Sequence, residues 1–185
     1  MARTELFSRK QPGGVYAIAG VDKQPGDIYF VHSGTGTDGA GYGKNPDSPV
    51  ATIDYAIGLC TANKGDVIYV LPGHAETINA AGAIEADKAG ISIIGLGNGE
   101  DRGLVTVGST LDTATVLISA ADVRIKNLVF TPGNDGVDIL IDINADGAII
   151  EDCELRSDET NTYQADTYID IAGGANGADR CVIRR

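Results

Sequence analysis

Tryptophan is absent from the chain, and Phe and Tyr together supply only 5% of its 185 residues. A core built from such a composition rests on small and β-branched side chains. Positive charge is also scarce: 14 Lys and Arg stand against 26 Asp and Glu, a formal net charge of -12. This argues against wrapping nucleic acid and against an anionic membrane surface, both of which reward a basic face. No run approaches the roughly 20 apolar residues that span a bilayer as a helix. Met1 to Lys10 is polar and charged, without the apolar stretch of a signal peptide. The expectation is a soluble protein made in a cytoplasm. The three cysteines, Cys60, Cys153 and Cys181, are an odd number at spacings of 93 and 28, matching neither a disulfide framework nor a zinc pattern. They read as small buried hydrophobes.

Glycine is plentiful, 25 residues, about twice the usual share. With 43% hydrophobic residues the chain can still bury a sizeable core, so its charge does not imply disorder. Charge is unevenly placed. Residues 1–25 hold Arg3, Arg9, Lys10 and Lys23 against Glu5 and Asp22, a net of +2, leaving -14 for the remainder. Pro12-Gly13-Gly14 and Pro25-Gly26 disfavour a long helix there. The segment reads as an extended arm with a short apolar patch, Val15 to Ala19, that orders against a partner surface.

Asp27 to Val31 reads as a strand, followed by a glycine-rich loop from Ser33 to Ser48. Gly34 to Gly39 has the GxGxxG spelling, but a dinucleotide site needs a helix opening directly on those glycines, and the next helix signal, Ser48-Pro49, comes about ten residues later. Asp38 and Asp47 lack the ligand spacing of a calcium loop and suit turns. From Pro49, the apolar residues Val50, Ile53, Ala56, Ile57 and Cys60 recur at three and four, which predicts one helix of three to four turns over about 50–62. His32 and His74 have no third metal ligand at a recognisable spacing, so no metal or cofactor is expected.

After Gly65 the chain is a ladder of short β-rich runs. Asp122–Phe130, Gly147–Leu155 and Arg180–Arg185 align, with Val123, Ala148 and Cys181 equivalent at steps of 25 and 33. Gly90–Gly95 is a fourth copy and Asp66–Leu71 a fifth. Alternate residues are apolar in each: Ile91 and Ile93, Val123 and Ile125, Ala148 and Ile150, Cys181 and Ile183. A period of two means one buried face. Unequal steps at constant strand register indicate a parallel β-helix, whose coils stack and whose loops absorb insertions. Leu104–Val107, Thr115–Ser119, Ile139–Ile143 and Thr167–Ile171 supply strands for the other sides. The alignment puts Lys126, Glu151 and Arg184 in one outward row and Asn127, Asp152 and Arg185 in the next, an ion-pair ladder. Glu151, Asp152 and Glu154 are also candidates for the paired carboxylates of glycoside hydrolysis.

Several segments taken together resemble right-handed parallel β-helix proteins of the pectate-lyase-like superfamily. These are Phe30 to Gly34, Tyr42 to Pro49, Ala51 to Ile57, and the run Gly65-Asp66-Val67-Ile68-Tyr69-Val70-Leu71-Pro72-Gly73. The wording is similar to that of tailed-bacteriophage virion proteins. The resemblance implies an all-β fold: a right-handed parallel β-helix over 26–185, an N-terminal capping α-helix, and an attachment arm over 1–25. It implies a phage virion structural protein, most readily a capsid decoration or head-fibre protein in the virion, made in the host cytoplasm. The partner is then the major capsid protein or another virion protein, the assembly a homotrimer, and the contacts Arg3, Arg9, Lys10, Val15, Tyr16 and Ile18. No cluster of calcium-binding acids with a catalytic Arg or Lys can be matched, so no catalytic residue carries over. The alternative is a tailspike-like polysaccharide depolymerase (lyase or glycoside hydrolase), or a glycan-binding receptor protein using Tyr42, Tyr55, Tyr163 and Tyr168. Ile183-Arg184-Arg185 falls in mid-repeat, so the chain continues or another subunit covers that end.

Overall fold

The computed structural model describes residues 26–157, 162–172 and 178–185, together with two strands nearer the N-terminus, β1 (Phe7–Arg9) and β2 (Tyr16–Ile18). β1 and β2 pair antiparallel, Arg9 opposite Tyr16, so this part of the arm is a two-stranded ribbon rather than one extended run.

The body is a parallel β-solenoid. Strand β3 (Ile28–Val31) is followed by α1 (Ile53–Leu59), and then by coils of three strands each. The first coil holds β4 (Val67–Val70), β5 (Ala75–Ile78) and β6 (Ile84–Ala86). The second holds β7 (Ser92–Gly95), β8 (Leu104–Val107) and β9 (Val116–Ile118). The third holds β10 (Arg124–Lys126), β11 (Val129–Pro132) and β12 (Val137–Ile143). The fourth holds β13 (Ile149–Glu151), β14 (Glu154–Leu155) and β15 (Ala165–Ile171), and β16 (Val182–Arg184) begins a fifth. Like strands stack into three sheets in the orders β16-β13-β10-β7-β4-β3, β14-β11-β8-β5 and β15-β12-β9-β6. We refer to them as the long, middle and third sheets.

Period-two patterning produces this arrangement because every second side chain can enter the axis. In the long sheet the inward row runs Tyr29, Ile68, Ile93, Ile125, Ile150, Ile183 through successive registered pairs. All are buried except Ile183, which is 54% exposed on the edge strand. The third sheet contributes rows Ile84–Val116–Ile141–Ile169 and Ala86–Ile118–Ile143–Ile171. Among the described residues, the aromatic side chains buried in this core are Tyr29 and Phe130.

A left-handed residue precedes each strand of the long sheet after β3 by two positions: Gly65, Gly90, Asp122, Gly147 and Arg180, all with φ between 56° and 72°. Gly95 is required for another reason. A Cβ there would meet the Asn127 carbonyl oxygen at 2.2 Å, and the Asn127 side chain donates to the carbonyls of Gly95 and Gly97 at 2.9 and 3.0 Å.

The helix is shorter than its periodicity predicts. Thr52 is its N-cap, accepting from Tyr55 N at 3.2 Å, while Val50 is drawn into a parallel bridge with Val31 and Pro49 stays outside. α1 packs on β6, β3 and β4, burying Ile53, Ala56 and Ile57. Its first turn is tied by acids: Glu76 Oε2 accepts Ile53 N at 3.0 Å, and Asp54 Oδ1 accepts Glu85 N at 3.0 Å.

Candidate functional site

Two polar constellations stand out. The first joins the opening loop to the first coil. Asp66, fully buried, accepts Asp27 N and Thr61 N, both at 2.7 Å. His74, also buried, accepts Ser33 N at Nδ1 (3.1 Å), so its neutral ring carries the proton on Nε2, 3.3 Å from Glu76 Oε2. Ser33 Oγ accepts Ala75 N at 3.0 Å. A Ser, a His and a Glu thus lie close together, but the histidine's acceptor nitrogen is occupied by a backbone N–H rather than by the hydroxyl. It cannot serve as the base for Ser33 in this geometry. In the same loop, Asp38 accepts Ala51 N, Thr52 N and the Thr52 hydroxyl at 2.8, 3.2 and 2.8 Å, which is the turn chemistry expected of it. These acids hold the chain together.

The second constellation is the outward face of the long sheet. Lys126, Glu151 and Arg184 are registered neighbours on β10, β13 and β16, the row expected from the repeat alignment. Glu151 is 14% exposed at its side chain and receives three cations: Arg124 Nε at 3.0 Å with a second, shorter contact from the same guanidinium, Lys126 at 3.2 Å, and Arg184 at 3.5 Å. Hydrogen bonding from Arg124 does most to lower the Glu151 pKa to about 2. Desolvation opposes this, and Lys126 adds to it. Lys126 also reaches Asp152 at 3.2 Å, and the Asp152 and Glu151 partners hold its ammonium above the usual lysine range. Glu154 pairs with Arg102 at 3.0 Å and with Arg156 at 3.7 Å. Arg102 further donates to the carbonyls of Leu128 and Asp152 at 3.2 and 2.7 Å, spanning two coils. An open groove of about 650 Å³, lined by Asp152, Cys153, Glu154, Leu155 and Ile183 to Arg185, adjoins this cluster.

All three carboxylates considered for glycoside hydrolysis are therefore in ion pairs. A general acid must hold its proton near neutral pH, which needs a raised pKa; Glu151 is displaced the other way. Among the described residues, no group of three or more His, Cys, Asp or Glu is placed to hold a metal.

The cysteines separate. Cys60 is buried, its thiol pushed up to about 12 by desolvation and by Asp66, while Cys153 and Cys181 are half-buried. Of the arm residues expected to bind a partner, Arg3, Lys10 and Val15 lie outside the described residues; Arg9, Tyr16 and Ile18 fall on β1 and β2. Of the tyrosines weighed for glycan stacking, Tyr42 and Tyr163 are exposed and Tyr55 and Tyr168 are half-buried. The aromatic pair that does face outward on the sheet was not foreseen: Phe30 and Tyr69, registered neighbours with ring centroids 6.0 Å apart. Alternation around Tyr29 and Ile68 was the available signal. Compared with family models, with curated proteins and with solved structures, the chain matches none.

Proposed function

We propose that this β-solenoid is a non-catalytic structural component of a tailed-phage virion, decorating the particle through its N-terminal segment. The non-enzymatic half of the reading rests on one observation: the carboxylates considered for catalysis are all ion-paired, Glu151 with Arg124, Lys126 and Arg184, Asp152 with Lys126, and Glu154 with Arg102 and Arg156. The phage half rests on the wording of residues 30–73 and is an inference from resemblance, since fold alone does not assign function. The separation of a +2 segment from a -14 body supports attachment by the arm, with the major capsid protein or another virion protein as partner.

The test is cofractionation. Full-length protein mixed with undecorated phage heads should sediment with them, and a chain lacking residues 1–24 should stay in the supernatant with its circular dichroism unchanged. Binding retained without the arm would overturn the attachment role. Release of reducing ends or unsaturated sugars from capsular polysaccharide, lost in Glu151→Gln or Asp152→Asn, would replace this reading with a depolymerase.

A further inference from the structure

We infer that the N-terminal ribbon β1–β2 packs on the outer face of the long sheet of its own chain, over β3, β4 and β7. That face is apolar on its first three strands: Ile28, Phe30, Val67, Tyr69 and Ile94 all point away from the core, half-buried or exposed, with Ser92 the polar residue among them. A parallel sheet apolar on both faces is normally covered on both. The apolar stretch stops at the next rung, where Arg124 and Lys126 are registered on Ser92 and Ile94.

The ribbon has the complementary need. Phe7 is registered on Ile18 and Arg9 on Tyr16, so the period of two puts these four residues on one face and Ser8 and Ala17 on the other. Three of the four are large and apolar. A two-stranded ribbon by itself is at best marginally stable in water and needs a further layer against one face. Two strands of three residues cover about 10 by 10 Å, and the open face of β3, β4 and β7 is roughly 14 by 12 Å. Arg9 fits at one end only. The cations of β10 exclude it from the β7 side, which leaves the β3 side, where Asp27, paired with Lys44 at 3.1 Å, keeps its side chain 47% exposed.

Chain connectivity selects the occupant. Gly26 is fixed against the first coil, since a Cβ there would meet the Gly65 backbone at 2.4 Å. Ile28 and Val67, each two residues further on, open the apolar face. Residues 19–25 number seven and reach at most ~24 Å, enough to set β2 on any part of it. The area is well below the ~800 Å² per partner of a standard interface between separate molecules. A tethered segment escapes that limit, because a short link holds it at an effective concentration in the millimolar range. A second copy or a free partner has no such advantage. The opposite signs of arm and body, +2 and -14, act in the same direction. In the free protein the apolar residues of the ribbon are therefore held on the solenoid, and any surface to which the arm attaches must compete with β3, β4 and β7 for them.

The absence of tryptophan supplies the test. A Tyr69→Trp chain carries one indole in the middle of the face, and Phe30→Trp is a second reporter should the first perturb the sheet. In the full chain, with no phage component present, acrylamide should quench that indole severalfold less than after Phe7→Thr/Ile18→Thr, which keeps β-forming side chains in both strands and removes the large apolar ones. Ser8→Thr/Ala17→Thr, on the other face of the ribbon, should leave the quenching as it was, with circular dichroism checking that each variant keeps its fold. The protection should also persist on dilution. Equal quenching with and without Phe7 and Ile18 overturns the inference. So does protection that fades on dilution, which would assign the face to a second copy. Because only the purified chain is measured, failure here leaves the virion reading standing, and failure to bind phage heads leaves this one.

Discussion

Glu151 shows how much a single side chain on this surface is asked to do. It sits between three cations, so replacing it leaves mutually repelling charges on adjacent rungs. Glu151→Gln is expected to cost about 1–2 kcal/mol, read as a lowered denaturation midpoint at pH 7. The pH dependence has a definite sign. The folded pKa is depressed to about 2 from an ordinary 4.5, so the stabilisation is complete above the unfolded value and is lost as pH falls from about 4.5 towards 2. Wild type should lose stability over that window more steeply than Glu151→Gln. Equal slopes would show that the cluster adds nothing to folding. At Gly95 the constraint is steric: an alanine Cβ would press on the Asn127 carbonyl, and Gly95→Ala should cost about 1–3 kcal/mol in chemical denaturation. The ladder residues were legible before the fold, because a repeat alignment places equal positions on one row. Glu76 and His74 were not, since nothing in Pro72-Gly73-His74-Ala75-Glu76 shows that both side chains turn inward, where their partners are 23 and 41 residues away in sequence.

Among the elements, strands with clean alternation were readable and those without it were not. The long-sheet strands and β8 follow the expected runs, and β9, β12 and β15 shift by one or two residues. β5 and β6 escaped notice because Ala-Glu-Thr-Ile and Ile-Glu-Ala are short and half polar, and they become strands only because β8 and β9 offer them ladders. The helix was placed correctly but drawn too long, because Val50 fits the helical period and is nevertheless claimed by Val31. The attachment of this element to the coil can be tested through Asp66. Asp66→Ala orphans two N–H groups, those of Asp27 and Thr61, at about 1–3 kcal/mol each where buried. Hydrogen exchange at Asp27 and Thr61 should speed up more than at β10. A uniform change would place the loss in global stability instead.

At the scale of the whole molecule, each coil contacts its neighbours and little else, so stability is close to a sum over coils and their interfaces. Native-state exchange should be slowest in β7, β10 and β13, which are paired on both sides, and faster in β16, whose three residues are all exposed. A flat profile would mean that the solenoid unfolds as one unit. The left-handed residues that begin the coils carry a further consequence. Gly65, Gly90, Asp122, Gly147 and Arg180 are separated by 25, 32, 25 and 33 residues, yet each coil advances the long sheet by one strand. Axial height and chain length are thus uncoupled: the molecule measures itself in rungs of about 4.8 Å, whatever each circuit spends on loops. The second circuit places its seven extra residues in two connections, four between β7 and β8 and three between β8 and β9, without displacing the next rung. Such connections are where foreign peptide could be displayed at a fixed distance from the arm.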